Sequence, residues 1–81
     1  MQHDDVELWE RWLAPATEAL GLDRETVPVE ALLTLTAIIA HGVDRPMGPV
    51  SAYLAGLAVG AGAAPEAVLK ELTGLAREFS S

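Results

Sequence analysis

Cysteine is absent from this 81-residue chain, so neither a disulfide framework nor a thiolate metal site holds it together. Aromatic residues are scarce: two tryptophans, one tyrosine and one phenylalanine. Five basic residues face twelve acids, for a net charge of −7. Phosphate backbones and anionic bilayers attract cationic surfaces, so no nucleic-acid partner and no membrane partner is expected. Long hydrophobic runs are missing as well. The uncharged run Ala31–Val43 has 13 residues, too short to span a bilayer. The longer run Pro46–Pro65 carries three prolines, several glycines and little leucine or isoleucine, a poor fit to lipid. The opening MQHDDVELWE has no basic n-region followed by an apolar core, so a cytoplasmic location is the expectation.

The acids that are present sit unevenly. Residues 1–30 hold eight of them against Arg11 and Arg24, a balance of −6, while the remaining residues balance to −1. An acidic solvated face accounts for this simply. Apolar residues make up 51% of the chain, ample for one globular domain. A chain of this length buries only about 60% of its unfolded surface, so its core is modest.

Apolar spacing and Pro/Gly punctuation predict four helices, at about residues 5–20, 28–42, 49–61 and 65–79. In the first, Val6, Trp9, Leu13, Ala16 and Leu20 mark one face, Asp4 or Asp5 caps the start, and Gly21 ends it. Pro15 lacks a donor and crowds the preceding turn, which predicts a kink or break near Ala14. The second helix starts near Pro28 and is apolar nearly all round, the mark of a central helix. The third carries Val50, Tyr53, Leu54 and Leu57 on one side. Small residues Ala52, Gly56 and Gly60 lie opposite, suited to close packing within the domain. The fourth opens at Pro65 and presents Val68, Leu72, Leu75 and Phe79. The expected core is Leu32, Leu35, Ile39, Leu54, Leu57 and Leu72. Short links make the helices antiparallel neighbours. The fold expectation is all-α: residues 1–81 as a single compact bundle of four short helices, with residues 1–4 frayed.

Little in the chain carries chemistry. His3 and Glu7 have i,i+4 spacing without further ligands, so no metal site is expected. No Ser/His/Asp set, phosphate-cradling glycine loop or paired-histidine motif appears. The remaining stretch is 40–56, AHGVDRPMGPVSAYLAG, which packs His41, Asp44, Arg45 and two prolines between apolar helices. His41 and Arg45 suit exposed carbonyls at a helix end, and Asp44 suits a turn cap. Beside the start of the third helix, Arg45 also offers a two-pronged donor to a carboxylate or phosphate. His41, Asp44, Arg45 and Tyr53 are therefore the candidate partner- or anion-binding residues, and no catalytic residue is assigned.

The segment AHGVDRPMGPVSAYLAGLAVG resembles the hallmark of a small bacterial domain family of unknown function, whose members read approximately AHGVxRPxAPLTxFLxGLAAG. His41, Gly42, Val43, Arg45, Pro46, Pro49, Tyr53, Leu54 and Gly56 carry the match. The chain departs from the pattern at Met47-Gly48, at Val50-Ser51 and at Pro15. Such domains occur alone or joined to the nucleotidyltransferase that makes molybdopterin-guanine dinucleotide. The resemblance thus implies a non-enzymatic accessory or binding module in molybdenum-cofactor biosynthesis. It implies that nucleotidyltransferase as partner and a molybdopterin-type compound as possible ligand, with no cofactor of the domain's own. A homodimerisation module without a ligand is the alternative, and a small catalyst using His41 as acid–base has least support, since no second catalytic group accompanies it.

Overall fold

The computed structural model describes residues 6–80. The described residues form four α-helices: α1 Val6–Ala19, α2 Val29–Gly42, α3 Met47–Gly60 and α4 Pro65–Ser80. A short 3-10 turn, Arg24–Thr26, sits between α1 and α2. The fold is all-α, as period and punctuation predict. The caps proposed at Asp4 and Asp5, and His3 of the weak metal pair, lie outside the described residues.

Helix α2 is central, because its apolar surface meets both α3 and α4. Leu35 and Ile39 project from it into the core and are joined there by Ala76 of α4. Ile38, Val43, Leu69 and Leu72 pack around them, half-buried. Two glycines set how closely the helices approach. A Cβ on Gly48 would lie 3.2 Å from the Thr36 carbonyl oxygen, and one on Gly42 would lie 3.3 Å from the Ala76 carbonyl oxygen. Backbone therefore touches backbone at both crossings, and neither oxygen can swing aside as a side chain would.

Helix α3 starts at Met47, two residues before the predicted start, with Pro46 as its cap and Pro49 inside its first turn. First-turn amides need no intrahelical acceptor, so a proline is tolerated there. Its packing face corrects the sequence expectation. Gly48 and Ala55 are buried and Ser51 and Ala52 half-buried, while Leu54 is 51% and Leu57 54% exposed. Helix α3 thus lies its small residues against α2 and turns its large ones outward. Small residues let the α2 and α3 backbones close up, and that contact decides the rotation of α3. Leu32 and Leu72, also expected in the core, are half-buried.

The predicted small-residue stripe divides in consequence. Ala52 faces inward, but a Cβ added at Gly56 or Gly60 meets nothing within 4 Å. Gly56→Ala is therefore expected to stabilise the domain by about 0.5–1 kcal/mol, the ordinary helix gain over glycine. Gly48→Ala is expected to lower stability, because overpacking a rigid crossing costs about 1–3 kcal/mol. Urea midpoints of the two variants test the contrast.

Helix α1 stays continuous through Pro15, so of the kink or break expected near Ala14 the break does not occur. The buried Thr17 hydroxyl donates to the carbonyl oxygens of Leu13 at 2.7 Å and Ala14 at 3.2 Å, bracing the turn around the proline. The helix closes as predicted at Gly21, whose φ of +71° suits glycine. There Gly21 N–H donates to Glu18 O and Leu22 N–H to Thr17 O.

Beyond that cap the chain does not fold α1 back onto α3 and α4. Helix α1 meets the 3-10 turn alone at close backbone range. Arg24 of that turn grips Glu10 of α1 with two nitrogens, Nε donating to Oε1 at 2.9 Å and a terminal nitrogen to Oε2. Asp23 secures the turn, its Oδ1 accepting from Glu25 N–H at 3.0 Å. The hydrogen bond from Arg24 holds the Glu10 carboxyl below the usual carboxylate range. A depressed folded-state pKa contributes stability above the ordinary carboxylate value, and that contribution is lost as pH falls through the depressed one. The attachment of α1 is thus expected to loosen in acid, and Glu10→Gln to abolish that pH dependence. Both tryptophans lie on α1, so their fluorescence reads the change.

Candidate functional site

The four residues singled out by sequence are all exposed, and they occupy two places. His41 ends α2, and Asp44 and Arg45 form the corner before α3. Tyr53 stands on α3 itself, six residues beyond Met47, or about 9 Å along the axis.

Asp44 is the keystone of the corner, as its capping chemistry suggests. Its Oδ1 accepts from Arg45 N–H at 3.0 Å, its carbonyl accepts from Met47 N–H at 3.0 Å, and its own N–H donates to Ile39 O at 3.1 Å. Gly48 N–H donates to the Arg45 carbonyl at 3.2 Å. The first two amides of α3 are therefore used within the turn, and Pro46 and Pro49 bring none. An anion arriving here meets the Arg45 guanidinium without a ring of helix-start amides around it. That guanidinium pairs with no carboxylate among the described residues. One free cation at a rigid corner of an acidic chain suits a single carboxylate on a partner surface better than an embedded phosphate.

Sequence reasoning singled out Tyr53 but missed the exposed apolar surface around it. Tyr53 (70% exposed) and Leu57 form an apolar patch on the outer side of α3. Val50 and Leu54, on the neighbouring stripe, form one wall of a groove between α3 and α4. Leu75 and Phe79 of α4 form the other wall, Ile39 and Val43 lie at its floor, and its volume is about 200 Å³. A second hollow continues from Leu54 and Leu72 to Ala63 and Ala67. These residues recur at helical spacing, which reads as core until the rotation of α3 is known. The one available signal was negative: α3 contains no charged residue to mark an outer face.

A third apolar hollow, of about 340 Å³, lies where α1 meets the start of α2, with Trp9, Trp12, Leu13, Val27 and Leu32 among its walls. Among the described residues no group of three or more histidine or acidic side chains converges as a metal site. No helix among them is long and apolar enough to cross a membrane.

A family model described as a domain of unknown function (DUF6457) matches residues 4–81. No curated protein and no solved structure matches the chain.

Proposed function

Since the chain belongs to this DUF6457 family, we propose that it is a protein-docking module whose working surface is the outer side of α3 together with the corner before it. The observation that supports this reading is the rotation of α3, which sends Tyr53 and Leu57 outward and keeps small residues within. Contiguous exposed apolar patches on small proteins mark interaction sites, and tyrosine and arginine are the residue types that anchor them. Arg45 and His41 supply a polar edge to the apolar patch, the usual composition of an interface rim.

The partner of this proposal is the nucleotidyltransferase of molybdopterin-guanine dinucleotide synthesis, and the support is the resemblance carried by residues 40–60. The module then adds a docking or regulatory contact to that enzyme and does no chemistry itself. Direct ligation of a molybdopterin phosphate has less support, because the α3 amides are already engaged at the corner. Titrating the chain into the nucleotidyltransferase of its own organism, at fixed salt, tests the reading. Saturable binding unaffected by a pterin nucleotide is expected; binding of the nucleotide alone, without the enzyme, would overturn it.

A further inference from the structure

The groove between α3 and α4 is apolar along its length and, among the described residues, charged along one edge only. Its two hollows, of about 200 and 320 Å³, share Leu54 and Leu72 and so form one trough. Met47 and Phe79 stand at one end of it, Ala63 and Ala67 at the other. The α3 wall carries no charge from Met47 to Gly60. On α4 the charges are sorted. Glu71 borders the trough, and Glu78 keeps the same edge, because seven residues make almost two turns. Lys70 and Arg77 line a different crevice, against Thr34 and Leu35 of α2. Arg45 does not line the trough.

We propose that this trough docks an amphipathic helix of a partner protein. That helix has an apolar stripe at i, i+4, i+7 and i+11, and lysine or arginine along the flank that meets Glu71 and Glu78. It is additional to the docking surface above, because Tyr53 and Leu57 lie outside the trough. Length fits a helix: from Ala67 to Phe79 the α4 wall runs about 18 Å, which a helix of about 12 residues spans. Shape fits one too. Both walls are helices whose backbone groups bond within themselves, so an extended segment finds no strand edge to pair with. Leu54, Leu75 and Phe79 are 51%, 55% and 71% exposed, and side chains one turn apart can seat between them.

Charge sets the sign of the flank. Acids along the rim attract a basic edge and repel an acidic one, and the chain's net charge of −7 adds to this at longer range. A second copy is disfavoured on the same ground. Its amphipathic helix α1 carries Glu7 and Glu18 besides the paired Glu10, against Arg11 alone.

Fluorescence anisotropy of labelled helical peptides, titrated with the full chain, tests the proposal. The first probe has leucine at i, i+4, i+7 and i+11, lysine at the flanking positions and alanine elsewhere. A second replaces each lysine by glutamate, and a third scrambles the lysine sequence. The lysine probe is expected to saturate at one per chain, and the scrambled probe not to saturate. At low ionic strength it should bind about 5-fold or more tighter than the glutamate probe, since each exposed ion pair contributes up to a few-fold. Glu71→Lys should reverse that preference. Glu66→Lys should not, because it makes the same change in net charge from about 140° around α4. Leu75→Ser should weaken the lysine probe by about 10-fold, as loss of an apolar anchor does. All three positions are exposed, and circular dichroism checks each variant's fold. Should Leu75→Ser unfold, the contrast between Glu71→Lys and Glu66→Lys decides. A lysine probe that does not bind, a scrambled or glutamate probe that binds equally, or equal responses to the two lysine substitutions would each overturn the proposal. So would a wild-type dimer in sedimentation that excludes the probe, since the trough would then belong to a second copy. None of these outcomes touches the docking reading, whose residues Tyr53 and Arg45 lie outside the trough. Conversely, a chain that ignores the nucleotidyltransferase but binds the lysine probe loses that partner and keeps the trough.

Discussion

Leu35→Ala is expected to cost about 2–5 kcal/mol, the range for truncating a buried leucine, and to fall in its upper half. Leu35 is 1% exposed and sits among Ile39, Ala76 and their half-buried neighbours. The cost of such a truncation depends on how far the surroundings collapse into the cavity. Here they are restrained, because α2 and α4 already touch backbone to backbone at Gly42 and Ala76. The helices cannot move closer, so the void stays. Natural domains are stable by only about 5–15 kcal/mol, so this loss removes much of the margin. Equilibrium urea unfolding followed by circular dichroism measures it, and an unchanged midpoint would show that α2 is not the centre of the domain.

Tyr53→Ala is expected to weaken binding to the partner by about 30-fold or more, the effect of losing an aromatic anchor. Arg45→Ala should weaken it by about 10-fold or more, because hydrogen bonds to charged groups contribute about 1.5–3 kcal/mol. Neither change should shift folding stability by more than about 1 kcal/mol, since both side chains are exposed and neither supports the core. Calorimetric titration of each variant, at one fixed ionic strength, checks the binding; salt would otherwise screen the Arg45 contact. If Arg45→Ala instead unfolds the domain, the corner is architectural and the docking surface loses its charged residue.

Helix positions were legible in the sequence because capping and breaking residues are local. Gly21, Pro28 and Pro65 mark termini through their own backbone preferences, whatever they pack against, whereas the expected start of α3 near Pro49 falls inside its first turn. The centrality of α2 was equally readable, since a helix apolar all round has nowhere to go but the middle. Rotation was not legible for α3. Its large stripe and its small stripe both repeat at helical spacing, and no charge distinguishes them. Choosing the small one depends on the Thr36–Gly48 approach, a contact between residues of two different helices. The direction of α1 was hidden for a similar reason. It depends on the Arg24–Glu10 fork, which joins residues 14 positions apart across a 3-10 turn with no apolar period. At the candidate site, the residue types at the corner were readable. The use of the Met47 and Gly48 amides inside the turn was not, because it follows from the early start of α3.

The central claim is that the large apolar face of α3 looks outward and serves binding. Leu57 tests it most directly: the residue belongs to the outer face, yet its spacing marks it as core, and it lies outside the α3–α4 groove. The decisive measurement is the denaturation midpoint of Leu57→Ser. An outward Leu57 predicts a stability within about 0.5–1 kcal/mol of the parent chain, as for surface substitutions generally. A loss of about 2–5 kcal/mol, the signature of a truncated core leucine, would contradict the account.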